Sequence, residues 1–116
     1  MIKIIDEKMI DCIELLVKNE LARAMEQYGK FNSVHEAYAV IKEEIEELKE
    51  QVQFAENSFN ALWHYVKNDN YNDMAKCADS IIKYGIQIAA EAIQVAAMGK
   101  KLMEYLEGEK CKSVKN

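Results

Sequence analysis

Proline is absent from the 116 residues and glycine occurs only four times. The chain therefore has almost none of the residues that break helices or shape tight strand turns. No apolar run approaches the roughly 20 residues of a membrane span, and the uncharged stretch from Tyr84 to Ala90 is closed at once by Glu91. Basic side chains are outnumbered 15 to 20, for a net charge of -5. That balance offers no basic patch to a phosphate backbone, so nucleic acid is not an expected partner, and a cation suits the chain better. Cys12, Cys77 and Cys111 are odd in number and widely spaced, with no Cys-x-x-Cys and no nearby histidine pair. They make neither a disulfide framework nor a zinc set. Cys12 and Cys77 are expected as small core residues and Cys111 as part of a tail. Met1-Ile2-Lys3-Ile4 runs straight into Asp6 and Glu7. This is not the pattern of a secretory leader, and a cytoplasmic location is expected.

What the chain does contain is helix-forming. Ala, Leu, Ile, Glu, Lys and Met dominate, and these side chains lose little rotamer freedom in a helix. The length suits one core. The expectation is an all-α helical bundle built on a long antiparallel hairpin, one domain over residues 1–107, with a flexible tail over 108–116 where the apolar pattern is lost.

Between about Ile5 and Tyr28, apolar positions at Ile5, Met9, Cys12/Ile13, Leu16, Leu21 and Ala24/Met25 predict a first helix, stopped by Gly29. Ser33-Val34-His35-Glu36 has the S-x-x-E form of a capping box, which starts a second helix at Val34. From there Val34, Tyr38, Ile41, Ile45, Leu48, Val52, Ala55, Phe59, Leu62 and Val66 alternate steps of four and three, the period of one long helix. Lys67-Asn68-Asp69-Asn70 breaks it, and the chain reverses. The same step resumes at Met74, Ala78, Ile81, Gly85, Ile88, Ala92, Val95, Gly99, Leu102 and Leu106, where the small residues permit close helix approach.

In heptad terms Ile45 and Ala92 take position a, and Leu48 and Val95 take position d. Glu44 and Glu91 then fall at g, Glu47 and Gln94 at c. The g flanks of an antiparallel pair face each other. Folding about Asp69 and Asn70 sets Glu47 opposite about Ala92, so Glu44, Glu47, Glu91 and Gln94 are expected at one level. Carboxylates that close repel unless a cation sits among them, and an all-oxygen ligand set suits Mg²⁺. Glu43, Glu46 and Glu50 face water in this register. The same spacing also describes an ordinary solvated helix face.

The stretch Phe31-Asn32-Ser33-Val34-His35-Glu36-Ala37-Tyr38-Ala39-Val40-Ile41-Lys42-Glu43-Glu44-Ile45-Glu46-Glu47-Leu48, together with Ala90-Glu91-Ala92-Ile93-Gln94-Val95-Ala96-Ala97-Met98, resembles the phage-type branch of the MazG-like all-α nucleoside triphosphate pyrophosphohydrolases. The likeness covers roughly Phe31 to Leu106. That family carries E-E-x-x-E on one helix and E-x-x-D on a later one. Glu43, Glu44 and Glu47 match the first motif and Glu91 the start of the second, while Gln94 stands where the family has aspartate. The resemblance implies Mg²⁺, with Mn²⁺ as a substitute, held by Glu44, Glu47, Glu91 and Gln94. It further implies a nucleoside triphosphate cleaved to monophosphate and pyrophosphate, with Glu43 or Glu47 acting on the attacking water. The alternative is a helical scaffold that keeps the fold without the chemistry, since an amide ligates only through a neutral carbonyl.

His35, Lys100 and Lys101 are weaker candidates for contacting the triphosphate, each of which also reads as an ordinary surface residue. Asp79 and Gln87 are further oxygen donors on the second arm, and His64 is given no role. One short helix cannot cover both long arms, so a homodimer or homotetramer is expected.

Overall fold

The computed structural model describes residues 5–115, with side chains to residue 112. The tetrad 1–4 that was read for a leader, and Asn116 of the expected tail, lie outside the described residues. Three α-helices follow one another: α1 (Glu7–Tyr28), α2 (Val34–Lys67) and α3 (Tyr71–Lys115). No strand occurs among the described residues. None of these helices is long and apolar enough to cross a membrane.

Each boundary has a local cause. Asp6 caps α1 by accepting from the Lys8 amide at 2.8 Å. Gly29 ends the helix at φ 73°, with its amide donating to the Met25 carbonyl. Ser33 Oγ accepts from the Glu36 amide at 3.1 Å, as a capping box requires. Glu36, however, reaches back to the amide and side chain of Asn32 rather than to Ser33. At the reversal Asn70 N donates to the Tyr65 carbonyl and Asp69 N to that of Val66. This is the paired Schellman arrangement, and it holds Asp69 at φ 51°. Asn70 then starts α3 by exchanging hydrogen bonds with Asp73, 3.1 Å from the Asp73 amide and 2.7 Å to its carboxylate.

Contacts group the chain into two compact units, residues 1–43 with 93–116, and residues 44–92. In the first unit α1, the start of α2 and the end of α3 pack around Val17, Ala24, Phe31, Ala37, Ala97 and Met98. Leu21, Val40, Ile41, Ile93, Leu102 and Tyr105 surround this core. In the second unit the rest of α2 and α3 run antiparallel, with the Phe54 and Tyr84 ring centroids 5.4 Å apart.

Several sequence expectations are corrected here. Cys12 is exposed rather than a core residue, whereas Cys77 is buried. Ile5, Met9, Ile13 and Leu16 are exposed as well, because α1 turns Val17, Leu21 and Ala24 inward, one step away from that stripe. α3 continues through Cys111 to Lys115 instead of ending near Leu106. The apolar pattern stops there because residues 106–112 are all exposed, not because the helix does. Within the hairpin the inward face is d with g, rather than a with d. Leu48, Ala55 and Leu62 at d are half-buried together with Glu44, Gln51 and Ser58 at g, while Ile45, Val52, Phe59 and Val66 at a are exposed. Two helices that meet along their g flanks leave their a positions on the outside.

Candidate functional site

The second unit's antiparallel register assembles the acidic cluster. Glu44 and Glu47 lie three residues apart on α2 and so share a face. Glu91 is brought across from α3, because Phe54 and Tyr84, seven residues nearer the turn on each helix, pack against one another. One carboxylate oxygen from each of Glu44, Glu47 and Glu91 lies within 4.8 Å of the other two. Glu44 and Glu91 are half-buried and Glu47 is exposed.

The electrostatics of Glu91 follow from that geometry. Burial pushes its carboxyl above the ordinary 4.5, with the negative charge of Glu47 and a hydrogen bond to that group adding to the effect. A hydrogen bond between two carboxyls needs a proton, so it exists only while one of them is protonated. In the ionised cluster Glu91 Oε2 is buried with no hydrogen-bond donor. A buried anionic oxygen without a donor is costly.

The donor set is chemically suited to a hard divalent cation. Oxygens ligating Mg²⁺ at about 2.0–2.1 Å lie at most about 4.2 Å apart across the ion. Three glutamates offer the charged oxygens that such an ion takes.

Among the described His, Cys, Asp and Glu side chains, this group of three does not include Glu43 or His35. Glu43 is exposed and Gln94 half-buried, and both belong to the first unit. His35 is exposed in the first turn of α2, also in that unit. Lys100 is exposed on a groove of about 680 Å³ lined by Asp11, Glu14, Glu104 and Glu107. Lys18 lines the same groove. Lys101 corrects its surface reading: it is 6% exposed, with Nζ 4.2 Å from the centre of the buried Phe31 ring. Its ammonium is held over an aromatic face, where the ring quadrupole attracts it. Asp79 is occupied by an ion pair with Lys83 at 2.9 Å, and Gln87 is exposed.

The sequence reading missed the Phe31–Lys101 stack. The visible signal was a lone aromatic placed between the Gly29 stop and the Ser33 cap, in a loop whose neighbours Lys30 and Asn32 are polar. Compared with protein-family models, with curated proteins and with solved structures, the chain finds no match.

Proposed function

We propose that this chain is a Mg²⁺-dependent nucleoside triphosphate pyrophosphohydrolase of the MazG-like type, cleaving between the α and β phosphorus atoms to release a monophosphate and pyrophosphate. The observation that carries the reading is the convergence of Glu44, Glu47 and Glu91 from two helices, with oxygens within 4.8 Å of one another. The buried Oε2 of Glu91, which lacks a donor, supports it. The resemblance of Phe31 to Leu48 and of Ala90 to Met98 to the phage-type branch supplies the reaction class.

In this reading the three glutamates hold the cation, with Mn²⁺ able to replace Mg²⁺. When bound, it neutralises phosphate charge and lowers the pKa of a coordinated water. Glu44 and Glu91, the half-buried pair, fix the cation's position. Glu47 is the exposed member, and its carboxylate is open to a water on the solvent side, which it orients or deprotonates. No role is assigned to Glu43, Lys101 or His35.

Gln94 favours a second reading, a non-catalytic helical scaffold, because an amide offers only a neutral oxygen where the resembled family carries a carboxylate. The deciding experiment is pyrophosphate release from a panel of ribo- and deoxyribonucleoside triphosphates with millimolar Mg²⁺. The expected outcome is release by the wild-type chain, reduced at least 100-fold in Glu44→Gln and in Glu91→Gln while helical content by circular dichroism is unchanged. Release retained in both variants would remove the assignment, and no release from any triphosphate would favour the scaffold.

A further inference from the structure

The open groove of about 680 Å³ that holds Lys100 lies wholly within the first unit, between α1 and the last turns of α3. Its apolar lining is Leu15, Leu21 and Met103, and two of these face solvent, Leu15 at 58% and Met103 at 57% exposure. Its charged lining is acidic in balance. Asp11 and Glu14 stand on the α1 wall and Glu104 and Glu107 on the α3 wall, against two lysines, Lys18 and Lys100. On each wall the two carboxylates are three residues apart, so they share a helix face.

These four carboxylates differ from others on the same helices. Glu20, Asp73, Asp79 and Glu109 are each tied to a lysine or arginine three or four residues along. Lys18 stands four residues after Glu14, and Lys100 four before Glu104, a spacing at which such pairs form. Even so, among the described residues none of the four groove carboxylates is in an ion pair. Their charge faces outward beside uncovered apolar surface. A phosphate backbone, an anionic lipid surface and the same groove of a second copy all carry the wrong sign to sit there.

We propose that this groove docks a basic amphipathic helix of another protein. Its apolar side chains rest on Leu15, Leu21 and Met103, and its lysines or arginines reach the carboxylates on both walls. The dimensions agree. The α1 wall from Asp11 to Leu21 is about 15 Å long, or roughly three turns of an incoming helix. Met103 suits such a surface, because an unbranched thioether adapts its shape to the side chain laid against it. The groove shares no residue with the Glu44, Glu47 and Glu91 cluster, so docking stands or falls without it.

Fluorescence anisotropy with a labelled leucine–lysine peptide of about 18 residues, its leucines at i, i+3, i+4 and i+7, tests the proposal. The wild-type chain is expected to bind it with a Kd on the order of 10 μM at physiological salt. The double variant Glu14→Lys with Glu104→Lys, and separately Leu15→Asp, are expected to weaken binding at least about tenfold while helical content by circular dichroism is unchanged. Glu50→Lys with Glu56→Lys makes the same change in net charge on exposed positions of α2 and is expected to bind as the wild type does. A peptide of identical composition with its leucines scattered around the helix is expected to bind at least about tenfold more weakly. Equal binding of the scattered peptide would show charge attraction alone and overturn the proposal. So would equal losses in the two double variants, or undiminished binding by Leu15→Asp.

Discussion

The two compact units bury side chains in different ways. Among the described residues, six of the seven buried apolar side chains belong to the first unit and only Cys77 to the second, so the first is where packing stabilises the chain. Three helical segments there enclose Phe31 and even the stem of Lys101. The second unit is a two-helix hairpin whose inner face includes Glu44, Gln51, Ser58 and Glu91 beside Leu48 and Leu62. A pair of helices covers only one face of each, so apolar residues at a stay outside while polar groups at g are drawn in. The contrast teaches that the candidate site occupies the part of the molecule with least packing of its own, where carboxylates are tolerated at the expense of stability.

The largest test of that contrast is truncation of one aromatic in each unit. Phe31→Ala is expected to cost about 3–5 kcal/mol, by lost transfer energy and the cavity it leaves, together with the cation–π contact of Lys101. Phe59→Ala, at a ring 64% exposed, is expected to cost under about 1 kcal/mol. Urea unfolding of both variants checks the ratio, and equal losses would break the comparison.

A smaller effect concerns pH. Glu91 titrates above 4.5 in the folded chain because of burial and then Glu47. A carboxyl raised on folding destabilises the native state wherever it is ionised. The penalty is present above the raised value, fades as pH falls through it, and is absent below 4.5, where the group is protonated in both states. Without divalent cations, Glu91→Gln is thus expected to raise Tm at pH 7 and to leave it unchanged near pH 4. A variant that melts lower than the wild type at pH 7 would remove the repulsion from the account.

The smallest expected effect lies at the turn of the hairpin. Asp69 holds φ 51° at the Schellman position, a conformation that costs an L-residue up to about 1–2 kcal/mol and glycine very little. Asp69→Gly should stabilise by about 0.5 kcal/mol, since glycine's larger unfolded-state entropy offsets part of the gain. A thermal melt reads the sign.

Much of this architecture was legible. The helix limits at Tyr28, Val34 and Lys67 follow from Gly29, Ser33 and the Asn-Asp-Asn turn, which act locally and so appear directly in sequence. The level of Glu44, Glu47 and Glu91 was also legible, because the turn position fixes the antiparallel register. Which heptad face turns inward was not. An apolar residue at a, such as Phe59, reads as core from its spacing even where no helix of the same chain covers it. The continuation of α3 beyond Leu106 was hidden for a related reason, since periodicity reports packing partners rather than helix itself. Lys101 illustrates the limit at a single residue, because only tertiary structure shows that its ammonium lies on Phe31.

The central claim is that Glu44, Glu47 and Glu91 form one divalent-cation site, and Tm measured against Mg²⁺ or Mn²⁺ concentration at pH 7 tests it most directly. A ligand that binds only the native state raises Tm progressively with concentration. The account predicts a rise of several degrees for the wild type between zero and 10 mM cation, and none for Glu91→Gln. Identical curves for the two proteins, flat or rising, would contradict it.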